Sequence, residues 1–399
     1  MSARLPLGLT WPESNLIPPR FDDLKTFHAY VHIPFCEFRC GYCDFNTYTA
    51  KEIGGLSQSS FHESLITEID ASAKILENSG YQKRSLSTLF FGGGTPSLFT
   101  SNQIEQIITS LKGHYGFLPD IEITLEANPE SASPKYLEQL AAVGVNRISL
   151  GVQSFDPKVL ATLERVHDPD KVGPILKAAT ELGLESSLDL IYGAPNESLD
   201  SWRKTVEIAA SMGTGHVSAY SLIVEPGTKL ARQIKVGELP ETDDDLDAEK
   251  FEIADRVFQA NGLPWYEVAN WGKPSKHNHA YWGSADWWGF GPGAHSHLSG
   301  NRFWNTKHPL SYQKQLANGS PVAGIEYIDA RTNLEERLML ELRTSTGIPL
   351  KVLAELGIIK STIDPFVLDG SLKIENENLA VTAAGRLFVD RIVLQLLTN

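Results

Sequence analysis

The chain has 399 residues, 42% of them hydrophobic and 21% charged, proportions ordinary for a globular protein with one large core and room for a smaller one. Its 35 basic against 49 acidic residues, net −14, make it a poor candidate for nucleic-acid binding, which needs a basic field. No run of about 18 or more apolar residues suggests a bilayer span, and the opening M-S-A-R-L-P-L-G-L-T has no secretory core, so the expected location is the cytoplasm.

In chain order, residues 1–26 form a proline-punctuated arm, with Pro6, Pro12, Pro18 and Pro19. Residues 27–33 are β-rich and predict a first strand, and the spacing of Phe61, Leu65, Ile69, Ala73 and Leu76 predicts a helix. Strands are then expected over 86–91, 121–125, 147–152, 187–192 and 217–223, with helical stretches over 102–111, 134–143, 157–164, 170–182 and 199–212 between them. Six strand-then-helix units in series predict a parallel α/β sheet with ligand residues at the carboxyl ends of its strands. Glu241, Asp243, Asp244, Asp245 and Asp247 predict an acidic, solvated helix start near 238–260, and 263–270 reads as one more strand. A glycine- and tryptophan-rich stretch runs to about 305. From 306 to 399 a second unit is expected, with helices near 334–343 and 349–356, a two-stranded wing near 372–381 and a final helix.

All three cysteines of the chain, Cys36, Cys40 and Cys43, fall within eight positions of Y-V-H-I-P-F-C-E-F-R-C-G-Y-C-D-F. Thiolates are soft ligands suited to iron–sulfur clusters and zinc. A [4Fe–4S] cluster on three thiolates keeps one iron open to an exogenous ligand. Zinc held by the thiolates and His32 is the competing reading. Inert core thiols fit poorly beside Glu37, Arg39 and Asp44. With no disulfide framework, the thiols point again to a reducing compartment.

The C-x3-C-x2-C loop resembles the signature of the radical S-adenosylmethionine (SAM) superfamily, and Y-V-H-I-P-F resembles the oxygen-independent coproporphyrinogen III oxidase branch. The resemblance spans about residues 28–300 and implies a partial (β/α)6 barrel followed by a small helical, winged-helix-like C-terminal unit. It implies a [4Fe–4S] cluster on Cys36, Cys40 and Cys43, with SAM chelating the open iron. Gly93, Gly94 and Thr95 in G-G-G-T-P follow a strand, where a backbone free of Cβ atoms can approach a ligand. The resemblance also implies Tyr42 against adenine, Glu126 on the SAM amine, and further polar contacts from Gln153, Arg165 and Asp189. Tyr30, at the start of the motif strand, completes the expected cofactor set.

Two features depart from the oxidase. Phe45 stands where its pattern has a fourth cysteine, and the amino-terminal arm is shorter than the arm that helps enclose its substrate. A second motif lies at 277–282, H-N-H-A-Y-W, in a stretch holding four of the eleven histidines and six of the eight tryptophans between 265 and 304. Imidazole is a good axial ligand for haem iron, and flat aromatics suit a porphyrin face. A bland alternative is an aromatic loop over the barrel mouth whose histidines make ordinary hydrogen bonds. The string H-N-x-x-Y-W resembles the motif of HemW-type haem chaperones, which also carry phenylalanine after the third cysteine.

That resemblance implies a haem-binding chaperone that passes haem to acceptor haemoproteins such as respiratory enzymes. The implied haem residues are His277, Asn278, Tyr281 and Trp282, near the barrel mouth. His277 is the leading ligand, Asn278 orients its ring, and His279, His295 and His297 are rivals. The resemblance allows for a homodimer and for peripheral contact with a membrane. The alternative is the oxidase itself, which decarboxylates coproporphyrinogen III through a SAM-derived radical.

Overall fold

A computed structural model describes residues 6–21, 25–49 and 56–398. The parts of the arm at 1–5 and 22–24 lie outside the described residues.

Six parallel strands form the heart of the molecule: β1 (Phe27–Ile33), β2 (Leu86–Gly93), β3 (Phe117–Ala127), β4 (Arg147–Gln153), β5 (Glu185–Tyr192) and β6 (His216–Ser221). They pair in sequence order, and the crossovers carry α1 (Phe61–Asn78), α2 (Ser101–Tyr115), α3 (Pro134–Ala142), α4 (Pro157–Thr162), α5 (Val172–Glu181) and α6 (Leu199–Ser211). The apolar stripes of these helices bury Leu65, Ile69, Ile104, Ile107, Leu137, Leu140, Trp202 and Val206 against the outward faces of the strands. Side chains alternate along a strand, so the same strands present a second, largely polar set on the opposite face. That set runs through His28, Tyr30 and His32 on β1 and Thr88, Phe90 and Gly92 on β2. It continues through Glu122, Thr124 and Glu126, then Arg147, Ser149 and Gly151, then Ser187 and Asp189, and His216 and Ser218. One face packs the core and the other lines the inside of a partial barrel.

The sheet does not stop at six strands. After α7 (Lys229–Lys235) and α8 (Asp244–Ala260), the stretch expected as one strand over 263–270 is a hairpin, β7 (Trp265–Glu267) and β8 (Asn270–Gly272), antiparallel to β6. Helix α9 (Lys276–Trp282) follows. The tryptophan-rich stretch then supplies β9 (Asp286–Phe290), which lies parallel to β1 on its other side. β10 (His295–Leu298) and β11 (Asn301–Asn305) continue antiparallel from it.

Helix α10 (Pro309–Ala317) packs on α1, and β12 (Val322–Tyr327) pairs with β11, completing a twelve-stranded sheet. The large sheet therefore runs past the division expected at 305/306, through Tyr327. A glycine-punctuated antiparallel extension is hard to tell from a linker by composition alone. The arm is anchored as well: Leu9 bridges Ile325, and Ile17 is fully buried with its amide donating to Ser79 Oγ at 2.9 Å.

The second unit comprises α11 (Ala330–Glu341), β13 (Ile348–Pro349), α12 (Leu350–Glu355), α13 (Lys360–Leu368), β14 (Leu372–Glu375), β15 (Asn378–Val381) and α14 (Val389–Thr398). Its three strands form a small sheet over a separate core containing Leu338, Leu353, Leu379 and Ile392. Arg386 fastens it to the barrel, forking onto Asp255 of α8 with two 2.6 Å bonds and lying over the Trp265 and Phe251 rings.

Candidate functional site

The loop after β1 carries the three thiols. It folds back on itself, with Cys36 N donating to Tyr48 O and Tyr48 N to Pro34 O. This holds Cys36, Cys40 and Cys43 over the carboxyl end of the barrel, where all three border one cavity of about 650 Å³. Thr95 Oγ1 lies 3.7 Å from Cys36 Sγ, and Arg165 Nη1 lies 3.4 Å from Cys40 Sγ. Burial pushes the Cys36 thiol up to about 11, so as a free thiol it is protonated at neutral pH.

The cavity gathers residues from five strand ends. Tyr30, Tyr42, Gly93, Gly94, Thr95, Glu126, Gln153, Arg165 and Asp189 all line it, as do His277, Asn278 and Tyr281. Gly93 has φ +112°, a conformation costly for any residue with a side chain, and a Cβ there would meet the His32 ring at 2.5 Å. A Cβ on Gly94 would stand 2.5 Å from Phe35 O. Glu126 accepts from Gly93 N at 3.2 Å, and burial, with the Asp189 charge nearby, pushes its carboxyl up to about 8. Burial also raises Asp189, against the pull of its 2.8 Å bond from Ser149 Oγ.

Gln153 sits at φ +60° with its buried Oε1 unpartnered, and Arg165 Nε is likewise unpartnered. Strained backbone and an orphaned buried acceptor beside a cavity are the marks of a ligand site. The donor chemistry fits the expected groups: three thiols on one side, then carboxylates, an amide and a guanidinium deeper in. Asn128 was not singled out from sequence. It accepts from Arg165 Nη2 at 2.8 Å and so fixes the guanidinium. Its position one residue beyond β3 is the only signal that pointed to it.

The H-N-x-x-Y-W segment lies elsewhere than expected. It does not cover the barrel mouth; α9 closes the opposite end. Its first turn is held by Glu122, midway along β3 and opposite Thr88 of β2, which accepts from Ser275 Oγ at 3.2 Å, Lys276 N at 3.0 Å and His277 N at 3.0 Å. His277 projects into the barrel and is 2% exposed. Its Nδ1 bonds Thr88 Oγ1 at 2.5 Å, its Nε2 bonds the Tyr281 hydroxyl at 2.8 Å, and its ring stacks on Phe90. Burial holds this imidazole well below its ordinary pKa, hence neutral.

Asn278 does not orient that ring. Its Nδ2 donates to Tyr266 Oη at 3.3 Å and Glu267 Oε1 at 3.0 Å. Trp282 is half-buried and is not among the residues lining the cavity. Of the rivals, His279 and His295 are exposed, and His295 stacks on Trp304. His297 is buried edge-on against Trp287. None of the three borders the cavity. A seven-residue helix following a hairpin gave no sequence signal for which end of the barrel it would reach.

Three thiols on the loop after the first strand of a partial parallel barrel, facing a glycine turn and buried carboxylates, define a radical SAM protein, and residues 30–209 match the family model described as the radical SAM superfamily. Heme chaperone HemW of Mycobacterium tuberculosis is 42% identical over 382 residues, covering 94% of this chain and 95% of the relative. HemW of Bacillus subtilis is 32% identical, covering 91% and 97%. The mitochondrial radical S-adenosyl methionine domain-containing protein 1 of Mus musculus is 31% identical, covering 95% and 89%. The chain belongs to the HemW-type family of radical SAM haem chaperones. Coproporphyrinogen III oxidase of Escherichia coli, a radical SAM enzyme, shares the fold with a TM-score of 0.80 at 23% identity, over 94% of this chain and 90% of that one.

Proposed function

We propose that this protein is a cytoplasmic chaperone that binds haem and passes it to acceptor haemoproteins such as respiratory enzymes. In this reading Cys36, Cys40 and Cys43 hold a [4Fe–4S] cluster and the cavity beside them holds SAM. When bound, the cluster supplies a one-electron donor beside a sulfonium that such an electron can cleave. The rest is the work of the chain. Gly93 and Gly94 allow backbone to approach the methionyl end, and Thr95 stands beside both that turn and Cys36. Glu126 is placed to accept from an ammonium, and a cation there would draw its raised pKa back down. Gln153 offers its free acceptor, Asp189 a second carboxylate, and Tyr42 an aromatic face. Arg165, fixed by Asn128, sets its guanidinium beside the Cys40 sulfur.

The observation that carries the chaperone reading is 42% identity to a haem chaperone over nearly the whole chain, against 23% for the oxidase of the same fold. Phe45, in place of a fourth cysteine, points the same way. Acceptors such as respiratory enzymes would bring the protein to a membrane surface. Among the described residues no helix is long and apolar enough to cross one. The test is to purify the protein anaerobically and assay haem binding and coproporphyrinogen III conversion side by side. The expected result is about one haem per chain and no protoporphyrinogen above a control lacking SAM. Robust conversion without stable haem binding would replace the chaperone with the oxidase.

A further inference from the structure

The cavity that begins under the cysteine loop runs most of the length of the barrel. Arg147 lines it as well as Gln153, and the two stand at opposite ends of β4, about 20 Å apart along the strand. Register sets Arg147 level with Thr124 of β3, Phe90 of β2 and Tyr30 of β1, all on the inward face. This part of the cavity therefore combines a guanidinium with the stacked Tyr30 and Phe90 rings.

Arg147 is 4% exposed. Its Nη2 donates to His216 Nδ1 at 3.1 Å, and His216 Nε2 is held by the Tyr266 hydroxyl at 3.0 Å. Burial and the Arg147 charge keep that imidazole neutral, so it aims the guanidinium without balancing its charge. Other deeply buried cations are balanced: Lys250 has Glu197 and Asp247, each at 3.5 Å, and Arg386 has Asp255 at 2.6 Å. Among the described residues Arg147 has no carboxylate partner. Asp189 feels its charge, but it is bound by Ser149 Oγ and burial raises its own pKa, so it is a poor counter-ion. The Thr124 hydroxyl, beside Arg147 across the β3–β4 pair, is buried and also without a partner. An unpaired buried guanidinium is costly, and this one borders a cavity of the size that holds small molecules.

Resting on the chaperone reading above, we propose that Arg147 is the carboxylate receptor of this cavity and takes a propionate of the haem cargo. A guanidinium fork receives a carboxylate bidentately, and the Thr124 hydroxyl is a further free donor in the same layer. Tyr30 and Phe90 supply aromatic surface for the ring that carries the propionate. The methionyl carboxylate of SAM is called for at the cluster, by the other end of β4, and leaves this cation free. Cargo without a carboxylate would keep the cation buried and unpaired, which makes Arg147 a selector as well as an anchor.

The test titrates the anaerobic, cluster-loaded protein with haem and, separately, with haem dimethyl ester, both followed in the Soret region. The ester keeps the ring and the iron and removes both propionate charges. The parent should bind the free acid about tenfold or more tighter than the ester, the worth of a hydrogen bond to a charged group. Arg147→Gln should lose that preference: the acid weakens about tenfold or more, while the ester binds as it does to the parent. Cluster absorbance and its perturbation by SAM should be unchanged. If Arg147→Gln does not fold, Arg147→Lys, which keeps the charge but not the fork, carries the same comparison, with a several-fold loss for the acid and none for the ester. The assignment is overturned if the parent binds acid and ester alike, if the variant keeps the parent's preference, or if it weakens both ligands equally. Each of those results leaves haem binding, and so the chaperone reading, standing. A parent that binds neither form overturns the chaperone reading and the propionate site with it.

Discussion

Glu122 is the residue on which the floor of the barrel depends. It is 7% exposed, and its carboxylate takes the Ser275 hydroxyl and the amides of Lys276 and His277. Those amides belong to the first turn of α9 and have no partner within the helix. Glu122→Ala would leave three donors without their acceptor, one of them on the buried His277. Hydrogen bonds to a charged group contribute about 1.5–3 kcal/mol each, and water can replace part of that at the half-open Lys276 amide, so we expect a loss of about 3–4 kcal/mol. Glu122→Gln keeps the shape and one good acceptor, and should cost roughly half as much.

The assay is hydrogen exchange at the amides of 276–278, with denaturant unfolding alongside. A loss of about 3 kcal/mol in local opening speeds exchange by about a hundredfold. Exchange in β5, which Glu122 does not touch, should change no more than global stability dictates. Unchanged protection at Lys276 and His277, with a stability loss under about 1 kcal/mol, would refute this account of the floor.

Cys36→Ala, Cys40→Ala and Cys43→Ala should each abolish the [4Fe–4S] absorbance of anaerobic protein; a full cluster in any single variant, or zinc in place of iron, would contradict the three-thiolate site. Glu126 has a folded pKa raised to about 8 from an ordinary carboxyl value. Its stabilising contribution is therefore complete below the unfolded pKa near 4.5 and is lost as pH rises through about 8. Against the parent, Glu126→Gln should gain stability progressively across that window, and a flat difference in urea unfolding between pH 5 and pH 8 would count against the buried-acid assignment. Arg386→Ala strips the paired cation from Asp255 and should cost about 3 kcal/mol. Thermal unfolding should then show the second unit melting ahead of the barrel, and a single transition at the parent temperature would contradict its role as fastener.

The sequence by itself determined the barrel and where its three thiols fall, on the loop after the first strand. Strand runs bounded by glycines, helices with apolar residues at three- and four-residue intervals, and three thiols within eight positions are local signals, readable without knowing what packs on what. Gly93, Glu126, Gln153 and Asp189 were named together through the family resemblance, and the parallel sheet brings them to one cavity because its strand ends all face the same way.

What sequence could not settle depends on non-local contacts. The hairpin at 265–272 and the β9–β12 extension need partner strands to exist, and their short, glycine-broken runs resemble loops until β6 and β1 supply the hydrogen bonds. The pairing of β12 with β11 is likewise a contact that no composition change announces. Most of all, only the tertiary structure decided where His277 points. Its spacing in H-N-x-x-Y-W is the same whether α9 caps the mouth or plugs the floor. The choice was made by Glu122 and Thr88, more than 150 residues upstream, which hold the helix start and the imidazole at the amino-terminal end of the barrel.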